Sequence, residues 1–230
     1  MEILLIPVKF YLQMELSFRI VSNRMKFYRS MHAAVCLNGG KICIIGGENF
    51  SGLLIKGCEI FDPVTESFSD APYGLEQPMK CVSACLLQVE DMMLVCGQRS
   101  DGKSYCEKYS PTQFISSNCT ATFGNVNACS FIGNNRVLMV CGATKISNET
   151  CLYEHFSQKM SCGAYLNVRR NKAFLADCGN GKIAVGGTSN DIDSLCLVEV
   201  VDASSDPCPA TFTDGQIMLK NRYGAAASKY

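Results

Sequence analysis

Gly39-Gly40-Lys41-Ile42-Cys43-Ile44-Ile45-Gly46-Gly47 is a polar turn, a short continuous apolar run and a pair of glycines. A run of that length bounded by turn residues reads as a buried strand, and the closing glycines suit a tight turn or a positive φ. The pattern returns at Glu90-Asp91-Met92-Met93-Leu94-Val95-Cys96-Gly97, at Asn135-Arg136-Val137-Leu138-Met139-Val140-Cys141-Gly142 and at Gly181-Lys182-Ile183-Ala184-Val185-Gly186-Gly187. From Gly47 to Gly97 to Gly142 to Gly187 the steps are 50, 45 and 45 residues, the period of a repeated supersecondary unit. Apolar runs ending in glycine occur in any β protein, but four in phase mark a repeat. Gly46, Gly47, Gly97, Gly142, Gly186 and Gly187 are therefore expected to be structural.

Further strands flank each run. In the first unit they are expected at 29–37 and 57–63, with a short fourth at 66–69 after the turn Asp62-Pro63-Val64-Thr65, a composition that favours turns. The second unit repeats this with 81–87 and 106–111, followed by Phe114. The third has 127–131 and 151–156 without the Asp-Pro turn. The fourth has 169–175, 197–202 and 210–212. Residues 221–227 begin a further unit, and residues 1–24 match the repeat poorly although they contain short strand-like runs. The units fall at about 25–72, 73–118, 119–162 and 163–214.

The first unit resembles a kelch repeat. That family's pattern runs arginine, histidine and small residues, an apolar run, a double glycine, an aromatic-Asp-Pro turn and a tryptophan. Here these are Arg29, His32-Ala33-Ala34, Ile42 to Ile45, Gly46-Gly47 and Phe61-Asp62-Pro63, with Phe68 where the tryptophan would stand and Cys43 in place of the usual tyrosine. The resemblance covers residues 25–230. It implies an all-β, kelch-type β-propeller of four recognisable four-stranded blades, since a unit of this size buries both faces only by stacking on its neighbours. Residues 221–230 could join residues 1–22 to close a five-bladed ring. Alternatively the ring is incomplete, and the chain reads more readily as a partial or diverged propeller.

Composition narrows the function. Lysine plus arginine and aspartate plus glutamate are equal at 21 each, so no overall field points to nucleic acid or to an anionic membrane. No apolar run approaches the roughly 20 residues of a membrane-spanning helix. The 15 cysteines include no Cys-x-x-Cys pair, which fits neither a zinc ribbon nor a compact disulfide scaffold. Cys43, Cys96 and Cys141 lie inside the apolar runs and are expected to be buried free thiols. Sequons at Asn49, Asn118 and Asn148 would matter in a secreted protein. With no evident leader, a cytoplasmic location is the expectation, and secretion the alternative.

The resemblance implies that the loops joining second to third strands gather on one face and bind partners. These are residues 48–56, 98–105, 143–149 and 188–193, and their charged candidates are Arg99, Asp101, Lys145, Glu149, Asp191 and Asp193. Of the two histidines, His32 falls where the family carries a structural one, and His155 beside Glu154 is too isolated to form a base with its orienting group. Asn190-Asp191-Ile192-Asp193 lacks the rest of a calcium loop. No catalytic constellation, metal site or cofactor is expected. The expected function is a non-catalytic module that binds a protein partner, such as a component of a ubiquitin ligase or of the cytoskeleton. The alternative is a galactose-oxidase-like or glycan-processing propeller enzyme.

Overall fold

The computed structural model describes residues 21–87, 91–115, 118–119, 126–142, 147–179, 181–188, 197–203 and 212–214. They form an all-β protein of four four-stranded antiparallel sheets, each with its strands in sequence order. Sheet I holds β1 (Ala33–Cys36), β2 (Ile42–Ile45), β3 (Glu59–Asp62) and β4 (Ser67–Asp70). Sheet II holds β5 (Lys80–Leu86), β6 (Met93–Gln98), β7 (Ser104–Tyr109) and β8 (Asn118–Cys119). Sheet III holds β9 (Val126–Gly133), β10 (Arg136–Cys141), β11 (Thr150–Glu154) and β12 (Lys159–Cys162). Sheet IV holds β13 (Asn171–Gly179), β14 (Lys182–Thr188), β15 (Glu199–Asp202) and β16 (Thr213–Asp214). Among the described residues no helix is long and apolar enough to cross a membrane. The strand-like runs before residue 21 and the segment 221–230 lie outside the described residues.

The second strands β6 and β10 carry long apolar runs because both of their faces are covered. In β6, Met93 and Val95 join the core shared with Cys43, Ile45 and Val35 of sheet I, while Leu94 and Cys96 join the core shared with Val137, Met139 and Tyr153 of sheet III. In β10, Val137, Met139 and Cys141 face sheet II, whereas Leu138 and Val140 pack with Leu175, Ile183 and Val185 of sheet IV. A strand buried on both faces reads as a run and not as an alternation. Three stacked apolar layers therefore join four sheets, none of which could bury its faces alone.

The first strands lie against one another in the order β1, β5, β9, β13. Val82 N donates to Met31 O at 3.0 Å across the first two, and Cys129 N donates to Ser83 Oγ at 2.9 Å across the second and third. The entry to three of these strands carries the same backbone irregularity. Met31, Cys81 and Lys172 all have positive φ, at 54°, 50° and 48°, and the pairing of β5 and β13 slips at that point. A bulge of this kind bends the strand and increases its twist.

Two details differ from the sequence reading. The third unit has a fourth strand, β12, that its sequence did not announce, because Lys159–Cys162 has no aromatic marker and is recognised by its pairing with β11. In the second unit the fourth strand is Asn118–Cys119 and not the segment around Phe114, whose side chain is exposed. Phe68 occupies the expected tryptophan position and packs on Phe61 with ring centroids 4.7 Å apart.

Candidate functional site

The antiparallel order puts the connections within each sheet at alternating ends. Connections from second to third strand share one end with the links that lead into the next sheet, and the hairpin turns occupy the other. The sheets are stacked with like ends together. Gly47 N donates to Met79 O at 2.8 Å and Lys80 pairs with Glu48 at 3.1 Å at the loop end of sheets I and II. Ser147 and Arg170 exchange backbone hydrogen bonds of 2.9 and 2.7 Å at the loop end of III and IV. Asn38 N reaches Asp91 Oδ1 at 2.7 Å at the hairpin end.

Beneath this loop end lies a repeated buried ion pair. Arg29 Nη2 donates to Glu59 Oε2 at 2.7 Å, and its Nη1 donates to the carbonyls of Gly46 and Gly57 at 2.9 and 3.0 Å. In sheet IV, Arg170 makes the same set with Glu199 at 3.1 Å, Gly187 O at 3.3 Å and Leu197 O at 2.9 Å. Each carboxylate also accepts from the backbone leading into the arginine: Glu59 from Lys26 N, and Glu199 from Asn167 N and Val168 N. The arginine thus bridges the strand-ending glycine, the third strand and the link, and fixes where the loop departs. These side chains are fully buried, a state a charge tolerates only when paired and hydrogen-bonded.

Sheet II keeps the glutamate and loses the arginine. Glu107 is buried and accepts from Glu76 N and Gln77 N at 2.8 and 3.1 Å, but the residue three positions after Glu76 is the buried Met79. Burial pushes the Glu107 carboxyl above its ordinary range, and the two backbone donors oppose that rise only in part. The in-phase acidic residue in three third strands, Glu59, Glu107 and Glu199, was the available sequence signal for this device, and the sequence reading missed it.

Of the candidate loop residues, Arg99 and Asp101 are brought together in the 98–105 loop at 2.8 Å, with the Arg99 guanidinium 5.5 Å from the centre of the Tyr105 ring. Asp101 Oδ1 also accepts from Lys103 N at 3.0 Å, and this bond leads the causes that hold its carboxyl below the usual range. Glu149 is exposed at the equivalent end of sheet III, where its carbonyl accepts from Cys141 N at 3.0 Å. Lys145, Asp191 and Asp193 lie outside the described residues.

The loop of sheet I is rigidly made and apolar at its tip. Asn49 Oδ1 accepts from Ser51 N and Leu53 N at 2.9 and 3.0 Å, while Asn49 N donates to Leu53 O at 2.9 Å. That turn holds Phe50 and Leu53 outward, 82% and 66% exposed, with the exposed Tyr28 ring 5.7 Å from that of Phe50. Met31 and Tyr165, on segments that enter β1 and β13, are exposed at the same end. The sequence reading chose the charged loop residues and passed over these apolar ones.

The glycines differ in role. Gly47 has φ +94° and a Cβ there would collide with Ser30 O, while Gly187 has φ +135° and a Cβ would stand 2.6 Å from Ala173 Cα. Both positions exclude a side chain because the chain passes directly across them, at Ser30 and His32 before β1 and at Ala173 within β13. Cys43, Cys96 and Cys141 are all buried, and Cys43 and Cys141 are free. Cys96 is not a free thiol. It lies in register with Cys106 on the adjacent strand, and the two form a disulfide. The register that sets these residues face to face could not be read from spacing. His32 is half-buried, and burial, followed by the charge of Arg29, lowers its pKa.

No family model matches the chain, and no curated protein matches it in sequence.

Proposed function

We propose that the chain is a kelch-type β-propeller module that binds a protein partner through the loop end of its sheets. The observation that carries this reading is the patch formed by Tyr28, Phe50 and Leu53, which a tight, side-chain-stapled turn holds in solvent. Large apolar side chains grouped on a hydrogen-bonded loop are the usual anchors of a protein interface, and polar residues at the same end of the sheets, such as the Arg99–Asp101 pair, suit its rim. The in-phase sequence pattern supports a propeller, as does the order of the first strands.

The test is affinity capture with the intact chain, compared with Phe50→Asp and Leu53→Asp at the loop end and with Val64→Asp, an exposed control at the hairpin end. The proposal expects one set of captured proteins, lost with the first two variants and kept with the third, at unchanged melting temperature. Capture that survives both loop-end substitutions, together with Arg99→Ala, refutes it.

A further inference from the structure

The layer between sheets II and III is unusually rich in sulfur. Cys85, Cys96, Cys106, Cys129, Cys141 and Cys151 share one core, and Met139 Sδ lies 3.8 Å from Cys96 Sγ. The layer between III and IV contains no cysteine among its described core residues. The cysteines are also not scattered. Cys96 and Cys106 stand on β6 and β7 on either side of the 98–105 loop and are joined. Cys141 and Cys151 stand on β10 and β11 on either side of the 143–149 loop, in the matching place one sheet further on, with their sulfurs 3.8 Å apart.

We propose that Cys141 and Cys151 form a reversible disulfide that clamps the base of the 143–149 loop, as the Cys96–Cys106 bond clamps the base of the 98–105 loop. The two residues are diagonal neighbours on one face of the sheet, because Cys151 pairs with Met139 and Cys141 lies two positions beyond it. Their sulfurs need to approach by about 1.8 Å to reach bonding distance. A hydrogen bond links the two thiols, either of which can donate, and burial opposes the ionisation of both. Either sulfur can therefore open the exchange.

With glutathione disulfide as oxidant, the thiolate of one of the two cysteines attacks one of its sulfurs and expels a glutathione thiolate, leaving a mixed disulfide on that cysteine. The other thiol gives its proton to the released glutathione thiolate and attacks the protein sulfur of the mixed disulfide, expelling the second glutathione. Two protein thiols are oxidised, and one small disulfide is reduced to two thiols. Bridging ties the end of β10 to the start of β11 and holds together the two ends of the connection between them. The consequence for partner binding rests on the reading of the loop end given above, whereas the bond itself does not.

The full chain, reduced and unfolded, is refolded in a glutathione redox buffer, alkylated and digested with trypsin without reduction. Cleavage after Arg136, Lys145 and Lys159 puts Cys141 and Cys151 in separate peptides, 137–145 and 146–159, each with a single cysteine. The expected result is a linked pair of these peptides that disappears as the buffer becomes more reducing. In Cys151→Ser and in Cys141→Ser the linked pair should be absent while the Cys96–Cys106 link remains. Alkylation of both cysteines as free thiols under conditions where Cys96–Cys106 has formed overturns the proposal. Linkage of either one to another cysteine also does so. The map needs no partner, so failure of the binding reading leaves this result standing, and loss of the linked peptides leaves the capture experiment unaffected.

Discussion

Replacing Arg29 by methionine isolates what the buried ion pair contributes. The substitution removes three hydrogen bonds, to Glu59 Oε2 and to the carbonyls of Gly46 and Gly57, and leaves the fully buried Glu59 carboxylate with the Lys26 N–H at 2.6 Å. Breaking a buried pair by deleting one member costs about 3–5 kcal/mol, because the remaining charge has lost both water and counter-ion. Sheet II shows how the chain accommodates methionine at this point. Met79 is fully buried, and Glu107 is held by two backbone donors where Glu59 has the one from Lys26. The carboxylate in Arg29→Met is therefore less well compensated than Glu107, and a loss of at least about 3 kcal/mol is expected. The double variant Arg29→Met/Glu59→Leu replaces the pair by apolar side chains and should recover to within about 1–2 kcal/mol of the parent. Urea unfolding measures both, with equal m-values as the sign that the comparison is sound. A single variant within about 1 kcal/mol of the parent would refute the reasoning, since that is the range of an ordinary substitution. So would a double variant as unstable as the single one.

Met79→Arg should supply Glu107 with the guanidinium that sheets I and IV possess. The carboxyl of Glu107 is raised in the folded state, so its ionisation removes stability as pH rises above its ordinary value of 4.5 and through the raised folded value. The advantage of Met79→Arg over the parent should therefore be small at acid pH and grow toward neutrality, and a pH-independent difference in urea midpoints would contradict this. Gly47→Val and Gly187→Val should each lower stability by well over the roughly 1 kcal/mol of a simple glycine effect, since both add a collision to an unfavourable φ; denaturant midpoints equal to the parent's would show that the chain does not press on these glycines. Native-state alkylation should label the exposed Cys36, Cys162 and Cys178 quickly and Cys43 slowly, because burial both shields the Cys43 thiol and holds its pKa well above the ordinary range. Rapid labelling of Cys43, followed by peptide mass analysis, would mean that the layer between sheets I and II opens readily.

The sequence by itself determined the repeat, the all-β class and the placement of most strands. Those properties rest on local order: an apolar run of strand length, turn residues such as Asp62-Pro63, and glycines where the chain must reverse are legible one segment at a time. Asp62 Oδ1 accepting from Val64 N at 2.9 Å is a bond among near neighbours, and its residues announce it. Other features needed the third dimension. Glu59 and Arg29 are 30 positions apart, and nothing in either neighbourhood says that both are buried and that each satisfies the other. Cys96 and Cys106 could be two free thiols or one bond until the register of β6 and β7 sets them opposite. Which face of β10 meets which neighbour follows from the stacking of the sheets, and so does the meeting of Tyr28 with Phe50 at the loop end. Local sequence sets backbone preference within a few residues, whereas pairing of charges, sulfurs and rings depends on distances that only the packed sheets define.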